Sequence, residues 1–244
     1  MIISFFEEFP SKENLDKLKL IDFNTKLYLA ASSFEEFNNI KLKIKNKDLE
    51  EIIYWPILKQ EEGYWISPFS KKDALIRILN ENIYSSVMID AELPKNKLLY
   101  LSQLFNFFEN KKLIREFIRK NKTYIAEYYP QGAFKDSLFN ILGLNFDPTE
   151  YNTRIIKMFY NSMHHFNKNF LREEIKYGVN KYKNRYLVAF GTIATGIIGS
   201  EPILSSRQLD KDLKIAEECK VKEVVIFRLG GLNKDYLRII KKYV

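Results

Sequence analysis

The stretch "SVMIDAEL", residues 86–93, decides how the rest of the chain is read. Val87, Met88 and Ile89 have the character of a buried strand, yet the run ends in Asp90 and Glu92, with Pro94 just beyond. Residues two apart on a strand point the same way, so the two carboxylates share a face. A strand that leaves water and finishes in paired acids fits a sheet whose strand ends open on a functional site. The companion strands are then the next question.

Seven more runs of the same kind occur: "IISFFEEF" (2–9), "KLYLAAS" (26–32), "EIIYWPIL" (51–58), "TYIAEYYP" (123–130), "RIIKMFYN" (154–161), "YLVAFGTI" (186–193) and "EVVIFRLGG" (223–231). Helical spacing fills the intervals. Ser11 reads as an N-cap ahead of Leu15 and Leu18, and Ser70 as one ahead of Ala74, Leu75, Ile78 and Leu79. Leu209, Leu213 and Ala216 form one stripe, and a last helix starts at Asn233. The longest interval, 95–121, holds two helices or one bent helix. Strands alternating with helices, without a structureless linker, predict an α/β chain. The expected form is a single-domain (β/α)8 barrel over residues 1–244, closed by pairing its eighth strand with its first. An open dinucleotide-binding sheet would want glycines in its first turn, and "FFEEFP" has none.

With 244 residues, 46% of them hydrophobic and 15% aromatic, the chain has ample material for such a core. Cys219 is the single cysteine, which excludes an intramolecular disulfide and a cysteine metal cluster; in "LKIAEECKV" it reads as buried filler on a helix. The start has no signal-peptide pattern, and no apolar run approaches the ~18 residues that span a bilayer, so a soluble cytoplasmic protein without a membrane partner is expected. The net charge of +8 comes from lysines dispersed over helix faces, so no specific nucleic-acid partner is expected. His164 and His165 are adjacent and are the only histidines, which predicts neither a metal site nor a cofactor. The oligomeric state is left open.

In a barrel of this type the carboxyl ends of the strands carry the site. Those ends supply Glu7 and Glu8, Ser32 and Ser33, Tyr54 and Trp55 with the loop "KQEEGYWISPF", Asp90 and Glu92, and Glu127, Tyr128 and Tyr129. They continue with Tyr160 and Asn161, then Thr192 and Glu201, then Arg228 with Gly230 and Gly231. The set is acidic and aromatic, which suits sugars: their C–H faces stack on rings while their hydroxyls take hydrogen bonds. Glu92, Asp90 and Tyr160 are therefore expected to be catalytic. Glu7, Trp55, Glu127, Tyr129, Asn161 and Arg228 are expected to contact a small-molecule or oligosaccharide ligand. Two neighbouring carboxyls in a shielded mouth push one pKa up, which keeps a general acid protonated near neutral pH.

"MIDAE" resembles the end of the D-x-x-D-x-D-x-E strand motif of family 18 chitinase-like glycosidases, matched at Asp90 and Glu92. "KMFYN" is similar to that family's M-x-Y-D, matched at Met158 and Tyr160, with Asn161 where Asp is usual. Ser86 and Met88 stand in place of the upstream acids, and Phe227 and Arg228 in place of a tryptophan floor. The resemblance implies that Glu92 donates a proton to the glycosidic oxygen. It also implies that Asp90 orients and polarises a 2-acetamido group, to which Tyr160 hydrogen-bonds. Two other readings are open from the residues. One is a Schiff-base lyase or aldolase using Lys157, with a phosphate held by Arg228 and the Gly230–Gly231 amides. The other is a carbohydrate- or protein-binding derivative of a glycosidase barrel without turnover.

Overall fold

The computed structural model describes residues 1–244. Its eight strands are β1 (Ile2–Glu7), β2 (Thr25–Ala31), β3 (Leu49–Pro56), β4 (Val87–Asp90), β5 (Thr123–Tyr128), β6 (Arg154–Met158), β7 (Tyr186–Gly191) and β8 (Glu223–Phe227). All pair in parallel, in chain order, and β8 returns to β1 from Ile2↔Glu223 to Phe6↔Phe227, which closes the (β/α)8 barrel. The helices are α1 (Lys12–Asp16), α2 (Phe34–Lys41), α3 (Lys72–Leu79), α4 (Leu98–Ser102), α5 (Phe107–Lys120), α6 (Ala133–Ile141), α7 (Pro148–Tyr151), α8 (Asn161–His164), α9 (Lys168–Tyr182), α10 (Ser206–Glu218) and α11 (Lys234–Ile240). No helix is long and apolar enough to cross a membrane.

The caps are local chemistry. The Ser11 hydroxyl accepts the Asn14 N–H at 3.2 Å, and Asn233 accepts those of Asp235 and Tyr236. Ser70 departs from expectation. Lys71 holds the N-cap position of α3, and the Ser70 hydroxyl instead donates to the Trp65 carbonyl at 2.7 Å and accepts the Ser67 N–H at 3.1 Å. It therefore pins the loop between β3 and α3 rather than the helix. Cys219 sits buried just past the end of α10.

Strand alternation sorts side chains into two cores. Phe5, Leu29, Ile89, Ile125, Val188 and Ile226 face outward and meet the helices in a cluster of 45 buried residues. Phe6, Tyr28, Trp55, Met88, Tyr124, Met158 and Val225 face inward and belong to a plug of 13. The larger outer layer means that stability rests mainly on helices packing against the sheet. At the amino end the plug turns polar. Glu223, the first residue of β8, pairs with the Lys26 ammonium at 2.6 Å and accepts the hydroxyls of Ser4 and Tyr28 at 2.8 Å each. Arg154 donates to the Tyr124 hydroxyl at 2.5 Å. This carboxylate belongs to the floor, at the opposite end from the mouth.

Candidate functional site

The β3–β4 seam is the thinnest in the barrel, with the single pairing Tyr54↔Val87. The pinned β3–α3 loop closes over its upper end, where the Ile66 N–H donates to the Asp90 carbonyl at 3.1 Å. On the other side the Ala91 N–H donates to the Ala126 carbonyl at 2.9 Å. These two bonds fix the backbone where β4 ends and aim Asp90 inward, on the same face as Met88. Asp90 is only 6% exposed, and its Oδ1 has no hydrogen-bond partner. Glu92, two residues on, is partly buried and opens on the same space.

That space is a cavity of about 110 Å³ at the carboxyl mouth. Its base is aromatic: Phe6 lies 5.5 Å from the Trp55 ring and 6.2 Å from Phe227, and Phe227 lies 5.8 Å from Tyr160. The peptide bonds Gly191–Thr192 and Phe227–Arg228 beside it are cis. Glu8, Asp90, Glu92 and Glu201 line the cavity, together with Tyr128 and Tyr160. Glu8 accepts the Tyr64 hydroxyl at 2.7 Å and the Ile197 N–H at 3.1 Å; Glu201 accepts the Ile198 N–H at 3.0 Å.

Burial and mutual repulsion set the acidities. Burial pushes the Glu92 carboxyl up to about 7, with the Tyr128 hydroxyl pulling the other way and Glu8 adding to the rise. Glu8 also rises to about 7, again through burial, and Tyr64 opposes it. Asp90 lies well above its ordinary value because of burial, then Glu92, then Glu8. A protonated carboxyl near neutral pH is thus available beside ionisable partners. Three buried polar atoms on this lining have no partner within the protein: Asp90 Oδ1, Glu201 Oε2 and Trp55 Nε1. Each leaves a hydrogen-bonding capacity that a polar ligand can meet.

The structure brings Asp90, Glu92, Tyr160, Trp55 and Tyr129 to this cavity. The other four expected residues do not line it, because they lie on the outward face. Glu7 is held by Arg228 at 2.9 Å, the Gly230 N–H at 2.7 Å and the Phe9 N–H at 2.8 Å. That bonding also corrects the phosphate site: Arg228 and the Gly230 amide are occupied by the chain's own carboxylate. Glu127 pairs with Lys157 at 2.7 Å and accepts the Phe146 N–H at 2.7 Å. Lys157 therefore faces the helix layer, and an aldolase lysine would have to face the mouth. Asn161 is buried and donates to Asp212 at 2.7 Å. Glu8, Tyr128 and Glu201 line the cavity without being among the expected contacts, and Tyr64 holds Glu8 in place. For Glu8 the signal was present, since it shares the parity of Phe6.

A closed parallel barrel with an acidic and aromatic mouth resembles the barrels of glycoside hydrolases, and solved structures bear out that likeness at the level of fold. No family model matches the chain, and no curated protein matches its sequence. The glycoside hydrolase domain of PgaB (BpsB) from Bordetella bronchiseptica superposes with a TM-score of 0.54 at 10% identity, over 97% of this chain and 94% of that one. A chitinase from Chromobacterium violaceum gives 0.51 at 9% identity, over 99% and 98%. A GH5 xyloglucanase from Bacteroides ovatus, in complex with a XXXG heptasaccharide, gives 0.52 at 11%, over 96% and 67%. At these identities the likeness extends to the barrel and not to individual residues.

Proposed function

We propose that the protein acts on a carbohydrate, as a glycoside hydrolase-like barrel whose chemistry is carried by Glu92 and Asp90. The supporting observation is the buried, unpartnered Oδ1 of Asp90 beside a Glu92 carboxyl raised to about 7. Burying an acid without a partner costs about 1–3 kcal/mol or more, so a fold that keeps one in its mouth is keeping it for a ligand. In this reading Glu92 holds a proton near neutral pH and donates it to the glycosidic oxygen as the bond breaks. Asp90 accepts from, and orients, the group that attacks the anomeric carbon. The family 18 resemblance makes that group a 2-acetamido substituent, with Tyr160 as its second contact. Trp55 and Phe227 offer ring faces to the sugar.

The test is a screen of chromogenic glycosides, N-acetylhexosaminides first, on the native protein and on Glu92→Gln. Turnover falls about a hundredfold or more in the variant while ligand affinity persists. Unchanged turnover in Glu92→Gln removes Glu92 from the mechanism.

One observation favours binding without turnover as a second reading. Met88 stands directly below Asp90 on the inward face and is fully buried, so no carboxyl there can exchange a proton with Asp90. Saturable binding of oligosaccharides, with no hydrolysis of any glycoside in the screen, decides for it.

A further inference from the structure

Three of the four buried acids elsewhere in this barrel are paired with a cation, and the fourth, Asp212, is held by the amides of Asn161 and Gln208. Glu7 has Arg228, Glu127 has Lys157 and Glu223 has Lys26. The mouth differs in gathering several carboxyls into one space without a salt bridge to any of them. Glu8, Asp90, Glu92 and Glu201 line one cavity, and no lysine or arginine lines it with them. His164 is the one basic side chain on the lining, and burial holds it below its ordinary pKa, so it is neutral at neutral pH. In a chain of net charge +8 this is a local reversal of sign. Low-dielectric walls concentrate such a field at the opening.

The carboxylates are also built into place. Glu8 Oε2 and Glu201 Oε1 lie 2.8 and 3.0 Å from the point where a Cβ on Gly196 would stand. The backbone between β7 and α10 therefore closes tightly on both, and any side chain at Gly196 would occupy their shared corner. Their fixed donors, the Tyr64 hydroxyl and the N–H groups of Ile197 and Ile198, orient them without adding positive charge. Glu201 is 8% exposed and Asp90 6%, and each keeps one oxygen without a donor. What the cavity lacks is a positive charge carrying several N–H groups.

We propose that the ligand carries a protonated amino group, seated at the Glu8–Glu201 corner and distinct from the 2-acetamido group assigned to Asp90 and Tyr160, so that the substrate class is a carbohydrate that also bears a free amine. The carbohydrate part rests on the function proposed above; the positive charge follows from the lining alone. An ammonium brings three donors and one charge, which answers both the unpartnered oxygens and the uncompensated field. A hydroxyl offers one donor and no charge. An N-acyl group at that corner removes the charge and adds bulk against Gly196.

Calorimetric titration distinguishes these outcomes. The ligands are a glucosamine oligosaccharide, its N-acetylated counterpart, a glucose oligosaccharide of equal length, and spermidine. Measurement at about pH 7 keeps most of the amine charged, given the ~7.7 of an ordinary α-amino group, and leaves Glu8, which titrates at about 7, substantially ionised. The glucosamine oligosaccharide binds about tenfold more tightly than either neutral one, and added salt erodes the difference. In Glu201→Gln and in Glu8→Gln, each checked for folding by circular dichroism, the preference shrinks to about threefold or less. Equal or tighter binding of the neutral oligosaccharides overturns the amine and leaves the carbohydrate reading intact. Binding of spermidine alone, with the same dependence on Glu201, keeps the cationic ligand and overturns the carbohydrate. Binding of none of the four overturns both.

Discussion

Glu92 and Tyr128 form the pair whose chemistry is most open to measurement. Burial lifts the Glu92 carboxyl to about 7, and the neighbouring phenol restrains that rise. In the role proposed for Glu92, a general acid works only while protonated, so the expected turnover falls as pH climbs above about 7. Tyr128→Phe removes the restraint, so the descending limb of the rate profile moves to higher pH. A limb that stays where it was assigns the titration to another group. The Tyr128 hydroxyl also accepts the Leu93 N–H at 3.2 Å, and the variant gives up that bond as well. Residue by residue, parity decides what the sequence reveals. Asp90 and Tyr160 continue the inward series of Met88 and Met158, and both reach the cavity. Glu7, Glu127, Asn161 and Arg228 sit one position out of phase, so each turns away from the cavity and pairs within the chain: Glu7 with Arg228, Glu127 with Lys157 and Asn161 with Asp212. Applied to "FFEEF", the same count selects Glu8 over Glu7. Glu201 and Tyr64 lie in loops, where no period operates and only the folded backbone says which way a side chain turns.

Among the elements, α9 shows how closely the outer layer is fitted. Gly178 lies mid-helix, where alanine would ordinarily stabilise by about 1 kcal/mol. A Cβ there would stand 2.2 Å from the Tyr186 ring, which is itself buried against the sheet. Overpacking wins over propensity: Gly178→Ala destabilises the fold by about 1–3 kcal/mol in denaturant unfolding. A more stable variant would mean that the ring has room to move. The alternation of strands and helices was legible because each element repeats at its own period over many residues. The cap of α3 was not, because Ser70 lies in a loop that competes for its hydroxyl with a carbonyl five residues back.

For the whole molecule, the raised carboxyls set how stability follows pH. Glu8 and Glu92 rise from 4.5 to about 7, and Asp212 from 3.8 to about 7, each chiefly through burial. The folded chain keeps these protons where the unfolded chain has released them. Their stabilising contribution is complete below the unfolded values and is lost as pH rises through about 7. Glu51 and Glu62 act in the opposite sense, but they lose their contribution only below 4.5, outside that window. The melting temperature is therefore higher at about pH 5.5 than at about pH 8, by on the order of 5 °C. Asp212→Asn keeps an oxygen for the amides of Asn161 and Gln208 and flattens that slope. A slope identical in the variant would place the titration elsewhere.

The floor around Glu223 carries one more consequence. Lys26, Ser4 and Tyr28 close on that carboxylate beneath a solid plug of side chains, so the barrel is a blind vessel with a single doorway. Whatever enters must leave by the way it came, and a molecule wedged in the entrance blocks arrival and departure alike. On the function proposed above, a blocking compound is a stopper of that doorway, since the packed floor offers no approach to the cavity from the amino end.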